Sequence, residues 1–260
     1  MTVTAPGTRS TAPNAVVIPQ YSKRRVLGVW AMAALPMGFL AWVVTPIGAA
    51  FLDGPNATIR VGIPAITLGL AWQFVLVLWL VRREQGTLRW SVLREALWLR
   101  KPVSPRTGRR GGRVWWVLLP MAVLFAAEEF IPEVPHPASH AFGEILDSPA
   151  GHALLGGNPV WPLLVVVMMV LNTVLGEELL FRGLLLPRMH GAFGKGDWFV
   201  NGVLFACYHL HQPWSITSAF WDTFILSYPS RRYRSAWLGI IIHSMQTLVL
   251  GVAMVVIVVG

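Results

Sequence analysis

Residues 160–182 read VWPLLVVVMMVLNTVLGEELLFR. The run from 160 to 181 is apolar until its last turn, where Glu177 and Glu178 stand with Arg182 one turn further on. A helix crossing the hydrocarbon of a bilayer needs about 20 predominantly apolar residues, and this stretch supplies them. Residues 26–52, 63–81, 114–131 and 236–259 read the same way. Residues 198–210 and 215–228 are shorter apolar stretches, separated at His211-Gln212-Pro213, where Pro213 lacks the N–H that a continuing helix requires. The expected fold is therefore all-α: a polytopic integral membrane helical bundle of about seven transmembrane segments.

Composition agrees. Hydrophobic residues make up 55% of the 260-residue chain and charged residues 13%, against about 25% charged in soluble domains. The 13 Trp suit indoles anchored at lipid headgroups. The net charge of +9 does not point to nucleic acid, because the basic residues cluster between apolar segments, where topology accounts for them. The first twenty residues, rich in Thr, Pro and Ala, lack an apolar core. Residues 1–25 are expected to be a disordered cytoplasmic tail and 26–260 an integral membrane domain. The run after Lys23-Arg24-Arg25 is long and late for a signal peptide, and reads as a first span. The single cysteine, Cys207, can form no intrachain disulfide and reads as a small buried thiol.

Basic residues orient the spans. Lys23, Arg24 and Arg25 place the N-terminus in the cytoplasm of a multi-pass cell-membrane protein. The loop from 82 to 113 holds ten Lys or Arg against Glu84 and Glu95 and is assigned to the same side. The loop after the third span carries Glu128, Glu129, Glu133, Glu144 and Asp147 without a Lys or Arg, which places it outside; Glu128-Glu129 is given no catalytic role. Within the basic loop, residues 88–99 carry Trp90, Leu93 and Leu97 at helical spacing, as in a helix lying on the cytoplasmic surface.

Ionisable side chains inside a span are costly, so each requires a reason. Glu178 and Arg182 lie four apart and share a helix face in the favourable order. Glu177 points about 100° away and lacks that partner; a carboxylate shielded from water suits a general base. His209 shares a face with Phe205, and His211 is expected at a loop or rim. His243 lies in the last span, about 10 Å from its start at 1.5 Å per residue. Glu177 and His209 fall at comparable depth. Three ionisable residues from three helices at one depth point to a common cavity, expected to open on the side of the basic loops.

With these residues in view, the chain resembles the CAAX-protease and bacteriocin-processing (CPBP) family of intramembrane proteases. Glu177-Glu178-Leu179-Leu180-Phe181-Arg182 matches its Glu-Glu-x-x-x-Arg motif, with Gly183 following. Phe205-Ala206-Cys207-Tyr208-His209 matches Phe-x-x-x-His, and His243 begins a late His-x-x-x-Asn motif. The resemblance covers about residues 160–255, the expected catalytic core. It departs at Thr247, where the family has Asn, and in the basic character of residues 229–234.

The resemblance implies hydrolysis of a peptide bond in a membrane-associated protein or peptide. Glu177 with His209 would activate water, His243 would stabilise the oxyanion, Thr247 would support it in a diminished role, and Glu178 with Arg182 would hold the helix end together. No cofactor is expected. The metal-dependent alternative has Glu177, His209 and His243 binding zinc, although no His-Glu-x-x-His spacing is present. The alternative outside enzymology is a catalytically impaired scaffold or immunity protein on the same fold, for which Thr247 is the motive. Membrane lipid is an expected partner and nucleic acid is not.

Overall fold

The structure is a computed structural model that describes residues 16–54, 56–131, 134–136 and 148–259. It is a helical membrane bundle, with no strand among the described residues. Helix α1 spans Lys23–Ala49, α2 Ala57–Gln85, α3 Trp90–Ala96, α4 Gly112–Ala126, α5 Pro149–Gly157 and α6 Val160–Arg188. Helix α7 is Asp197–Tyr208, α8 runs from 216 to 233, and α9 is Trp237–Val259. Three of these, α1, α2 and α6, are long and apolar enough to cross a membrane; α4 and the Trp237–Val249 part of α9 are shorter apolar helices.

Local chemistry sets the ends. Ser22 caps α1 by accepting from the Arg25 N–H, and Gly86, in the left-handed region at φ 71°, closes α2. Ser148 caps α5 with Pro149 in its first turn. Pro213 falls in the short irregular turn between α7 and α8, as its missing N–H requires.

The long helices are apolar on both faces. On α2, Leu76, Val77, Leu80 and Val81 are buried, whereas Leu68, Trp72, Val75 and Trp79 are exposed on the opposite side at spacings of four, three and four. An exposed apolar stripe of this regularity is the face a membrane helix offers to lipid. The outer face of α6 repeats the pattern with Leu163, Val166, Val167 and Val170.

One end of the bundle is fastened by a buried charge knot. Arg188, fully buried, donates to Glu84 at 2.8 and 3.0 Å and to the carbonyls of Ala96 and Leu184 at 3.0 and 2.9 Å. The Tyr21 N–H donates to the Arg188 carbonyl, and its hydroxyl donates to Glu84. Burial first, then that bond to Glu84, pushes the Tyr21 phenol above its usual pKa, so it remains a donor. The ends of α1, α2, α3 and α6 thus meet at one satisfied guanidinium, which is what keeps a buried charge tolerable.

Two expectations change here. Residues 16–22, expected in a tail, are packed: Gln20 donates to the Pro187 carbonyl, Gln85 donates to the Val17 carbonyl, and Tyr21 is buried. The first fifteen residues lie outside the described part. The helix expected flat on the surface at 88–99 is the short α3, and the residues after it turn inward. Ala96, Leu97, Trp98 and Leu99 are buried, held by Arg188 and by the Ala236 N–H donating to the Trp98 carbonyl. Only its start, with Trp90 exposed, keeps a surface character.

Candidate active site

Glu177 and Glu178 sit on α6 between two π-helical stretches, Leu171–Gly176 and Leu179–Leu185. A π turn widens the helix by one residue and is frequent at functional sites. The second stretch is braced from outside: the Phe181 carbonyl accepts from the Leu186 N–H and from Asn201 Nδ2 at 2.9 Å, and Asn201 Oδ1 accepts from Ser227 on α8 at 3.0 Å. Helix α8 carries its own π stretch, Thr223–Ser227, beside Asp222.

The expected ion pair forms. Arg182 Nη1 donates to Glu178 Oε1 at 2.8 Å, with both side chains fully buried. The same oxygen lies 3.1 Å from His243 Nδ1 on α9. Helix α9 comes this close because its neighbouring residue is Gly239, where a Cβ would collide with the Glu178 carboxylate. The other ring nitrogen of His243, Nε2, stands 4.0 Å from Glu177 Oε2. The Arg182 guanidinium also lies 4.0 Å over the Phe205 ring, which packs edge-on against both His209 and His243, centroids 5.0 and 6.1 Å away.

Glu177, His209 and His243 line one cavity of about 130 Å³, room for several waters. His209 Nδ1 is 3.0 Å from the Phe205 carbonyl. With Nδ1 donating there, Nε2 is left as an acceptor. His211, half-buried, stacks on His209 with ring centroids 5.6 Å apart.

Sequence reasoning missed several neighbours. Tyr208, buried in the same region, accepts from Gln73 Nε2 of α2 at 2.6 Å, so a buried polar contact ties α2 to the end of α7 beside the site. It stands at an unspecified position of the Phe-x-x-x-His motif, beside His209, and so carried no signal of its own. Asp222 lines the cavity, is buried, and has one carboxylate oxygen, Oδ1, without a hydrogen-bond partner among the described residues. A lone acid between Trp221 and Thr223 in an apolar stretch was the available signal. Glu128, in the short turn that follows α4, also lines the cavity, although sequence reasoning assigned it no part in the site.

Thr247 is not among the residues lining the cavity. Its hydroxyl is 2.9 Å from Thr173 Oγ1, which itself donates to the Met169 carbonyl, so Thr247 donates toward α6. The cavity position on that turn belongs to Gln246. Cys207, expected to be buried, is exposed on the outward side of α7.

The lining also shows where the cavity leads. Glu177, His209, Asp222 and His243 are buried, whereas Asn172, Gln212, Ser215, Ser218 and Gln246 are half-buried or exposed. On each helix the more exposed member lies farther from the basic end marked by Lys23, Arg188 and Arg231. The described residues therefore open the cavity away from that end, contrary to the expectation of an opening beside the basic loops.

Zinc held by Glu177, His209 and His243 needs donors about 2.0–2.2 Å from one point. Among the described residues no group of three or more His, Cys, Asp or Glu has an arrangement that could hold a metal ion.

No curated protein and no solved structure gives a significant match to the chain. Residues 159–249, which carry Glu177, Glu178, Arg182, His209 and His243, match the family model described as type II CAAX prenyl endopeptidase Rce1-like, within the same group of intramembrane proteases that the three motifs resemble.

Proposed function

We propose that this protein is an intramembrane endopeptidase in which Glu177 is the general base for an attacking water. The observation that carries this reading is the single cavity lined by Glu177, His209 and His243 from three helices, together with the family match over that segment. Water would sit between Glu177 and His209 Nε2. As its oxygen bonds to the scissile carbonyl carbon, its proton passes to Glu177, and the carbonyl oxygen takes the negative charge. Glu177 then returns the proton to the leaving amine as the C–N bond breaks, giving a carboxylic acid and an amine.

His243 lines the same cavity, with its Nε2 4.0 Å from Glu177 Oε2. With Nδ1 donating to Glu178, a doubly protonated ring presents Nε2–H to the oxyanion. A fixed donor at that point is typically among the largest contributions to acyl transfer. The side-chain amide of Gln246, which lines the cavity, is the supporting donor in this reading, a role expected of position 247. The mechanism uses no metal. The substrate is a membrane-associated protein or peptide, and the basic end of the bundle is cytoplasmic.

The test is cleavage of a membrane-anchored reporter peptide by pure protein in liposomes. Glu177→Gln keeps the side chain's shape but removes its basicity. It should insert and fold as wild type, yet cleave slower by about 10²- to 10⁴-fold, the usual worth of a positioned base. Full activity of that variant would overturn the mechanism. A wild-type chain that binds reporter and never cleaves it would favour the scaffold reading instead.

A further inference from the structure

A second and larger cavity, about 580 Å³, lies at the basic end of the bundle, away from the candidate active site. Its walls carry Lys195, Arg231, Arg232 and Arg234 beside Trp198 and Tyr228, and no carboxylate is part of its lining. The loop after α3 closes one side, fixed where the Val103 N–H donates to the Tyr233 carbonyl at 2.8 Å. Of the four cations, Arg231 is already engaged by Asp197. Lys195, Arg232 and Arg234 are exposed, and no acidic partner is recorded for them among the described residues. Three unneutralised cations around one concavity make it attractive to an anion.

What continues from the cavity identifies the anion's class. Below Tyr228, one and two turns back along α8, stand Phe224 and Phe220, all three exposed at i, i+4 and i+8. Trp198 packs edge-on against both Tyr228 and Phe224, at 5.1 and 6.0 Å, and Phe199 packs against Phe220 at 6.2 Å. An aromatic wall therefore descends from the basic cavity along the outside of α7 and α8. Trp and Tyr at its top are the residues that sit at headgroup level, and basic pockets between membrane helices bind anionic headgroups. A free phosphate would use the cations and leave the wall idle; a phospholipid would use both.

We propose that this cavity is a binding site for the phosphate headgroup of an anionic phospholipid, whose acyl chain lies along Phe224 and Phe220. The site is independent of the catalytic reading. It also accounts for the basic character of residues 229–234, which the resemblance left without a role.

The test is native mass spectrometry of the full chain in detergent with equimolar phosphatidylglycerol and phosphatidylcholine. Wild type should retain phosphatidylglycerol at least about tenfold over phosphatidylcholine, since each basic residue near an anionic surface is worth about fivefold. Millimolar inorganic phosphate should not displace it. The triple variant Lys195→Gln, Arg232→Gln, Arg234→Asn spares the Arg231–Asp197 pair and should abolish the preference. Equal retention of the two lipids by wild type overturns the proposal without recourse to any variant. So does a preference that survives in the triple variant, and displacement by phosphate alone would reassign the cavity to a free anion.

Discussion

Glu178 Oε1 lies 3.1 Å from His243 Nδ1, and both side chains are buried. The second glutamate of the pair is therefore the group that orients the second histidine, in addition to closing an ion pair with Arg182. One carboxylate oxygen joins the helix that carries the candidate base to the helix that carries the candidate oxyanion donor. A ring held at one nitrogen by a fixed acceptor presents the other nitrogen in a defined direction.

That double role separates two variants. Arg182→Ala leaves the Glu178 charge buried beside His243 alone, and removing one member of a buried pair costs about 3–5 kcal/mol. It should lower folded yield and thermal stability more than it alters chemistry. Glu178→Gln keeps the shape but weakens the hold on His243, and should fold while cleaving slower by a factor between about 10 and 10⁴. Unfolding curves in detergent, run beside the cleavage assay, read both. An Arg182→Ala protein of normal stability with no cleavage would mean that Arg182 takes part in the reaction directly.

Gln246 and Thr247 make the second contrast. Loss of one oxyanion donor lowers turnover by about 10²- to 10³-fold, so Gln246→Ala should show a loss of that size in kcat with little change in KM. Thr247 donates toward Thr173, so Thr247→Asn should leave kcat near wild type. A large gain from Thr247→Asn would show that the helix turn presents position 247, and not 246, to the substrate.

The direction of the cavity is open to chemical mapping. In a Cys207→Ser background, needed because Cys207 is exposed, Ser215→Cys sits on the cavity's wider side and Lys195→Cys at the basic end. A membrane-impermeant maleimide applied to sealed vesicles of one orientation should label the two variants from opposite sides. Labelling of both from one side would place the mouth beside the basic loops after all.

The metal-free reading has a direct check. Pure protein dialysed against a chelator should keep its cleavage rate, and elemental analysis should find less than stoichiometric zinc. Activity lost on chelation and restored by zinc alone would move Glu177, His209 and His243 into a ligand set.

The sequence alone determined the solvent and named the candidates for the chemistry. Runs such as 160–181 and 63–81 are too long and too apolar for water, and that follows from composition and length without reference to any partner. The Glu178–Arg182 pair was equally legible, because a spacing of four residues is a local property of a helix. So were Glu177, His209 and His243 as candidates, since each is an ionisable group in an apolar stretch. What local spacing could not contain was direction. Helices apolar on both faces, like α2, carry no mark of which side meets protein, so the buried and lipid-facing stripes were settled only by packing. The π stretches around Glu177 shift the helix phase by a residue, and a wheel drawn at 3.6 residues per turn cannot anticipate them. Tertiary contact alone brought Gln73 to Tyr208, Glu128 and Asp222 to the candidate cavity, and Gln246 rather than Thr247 to its wall. These are meetings between segments far apart in the chain, fixed by how helices pack against one another and invisible to any pattern within one of them.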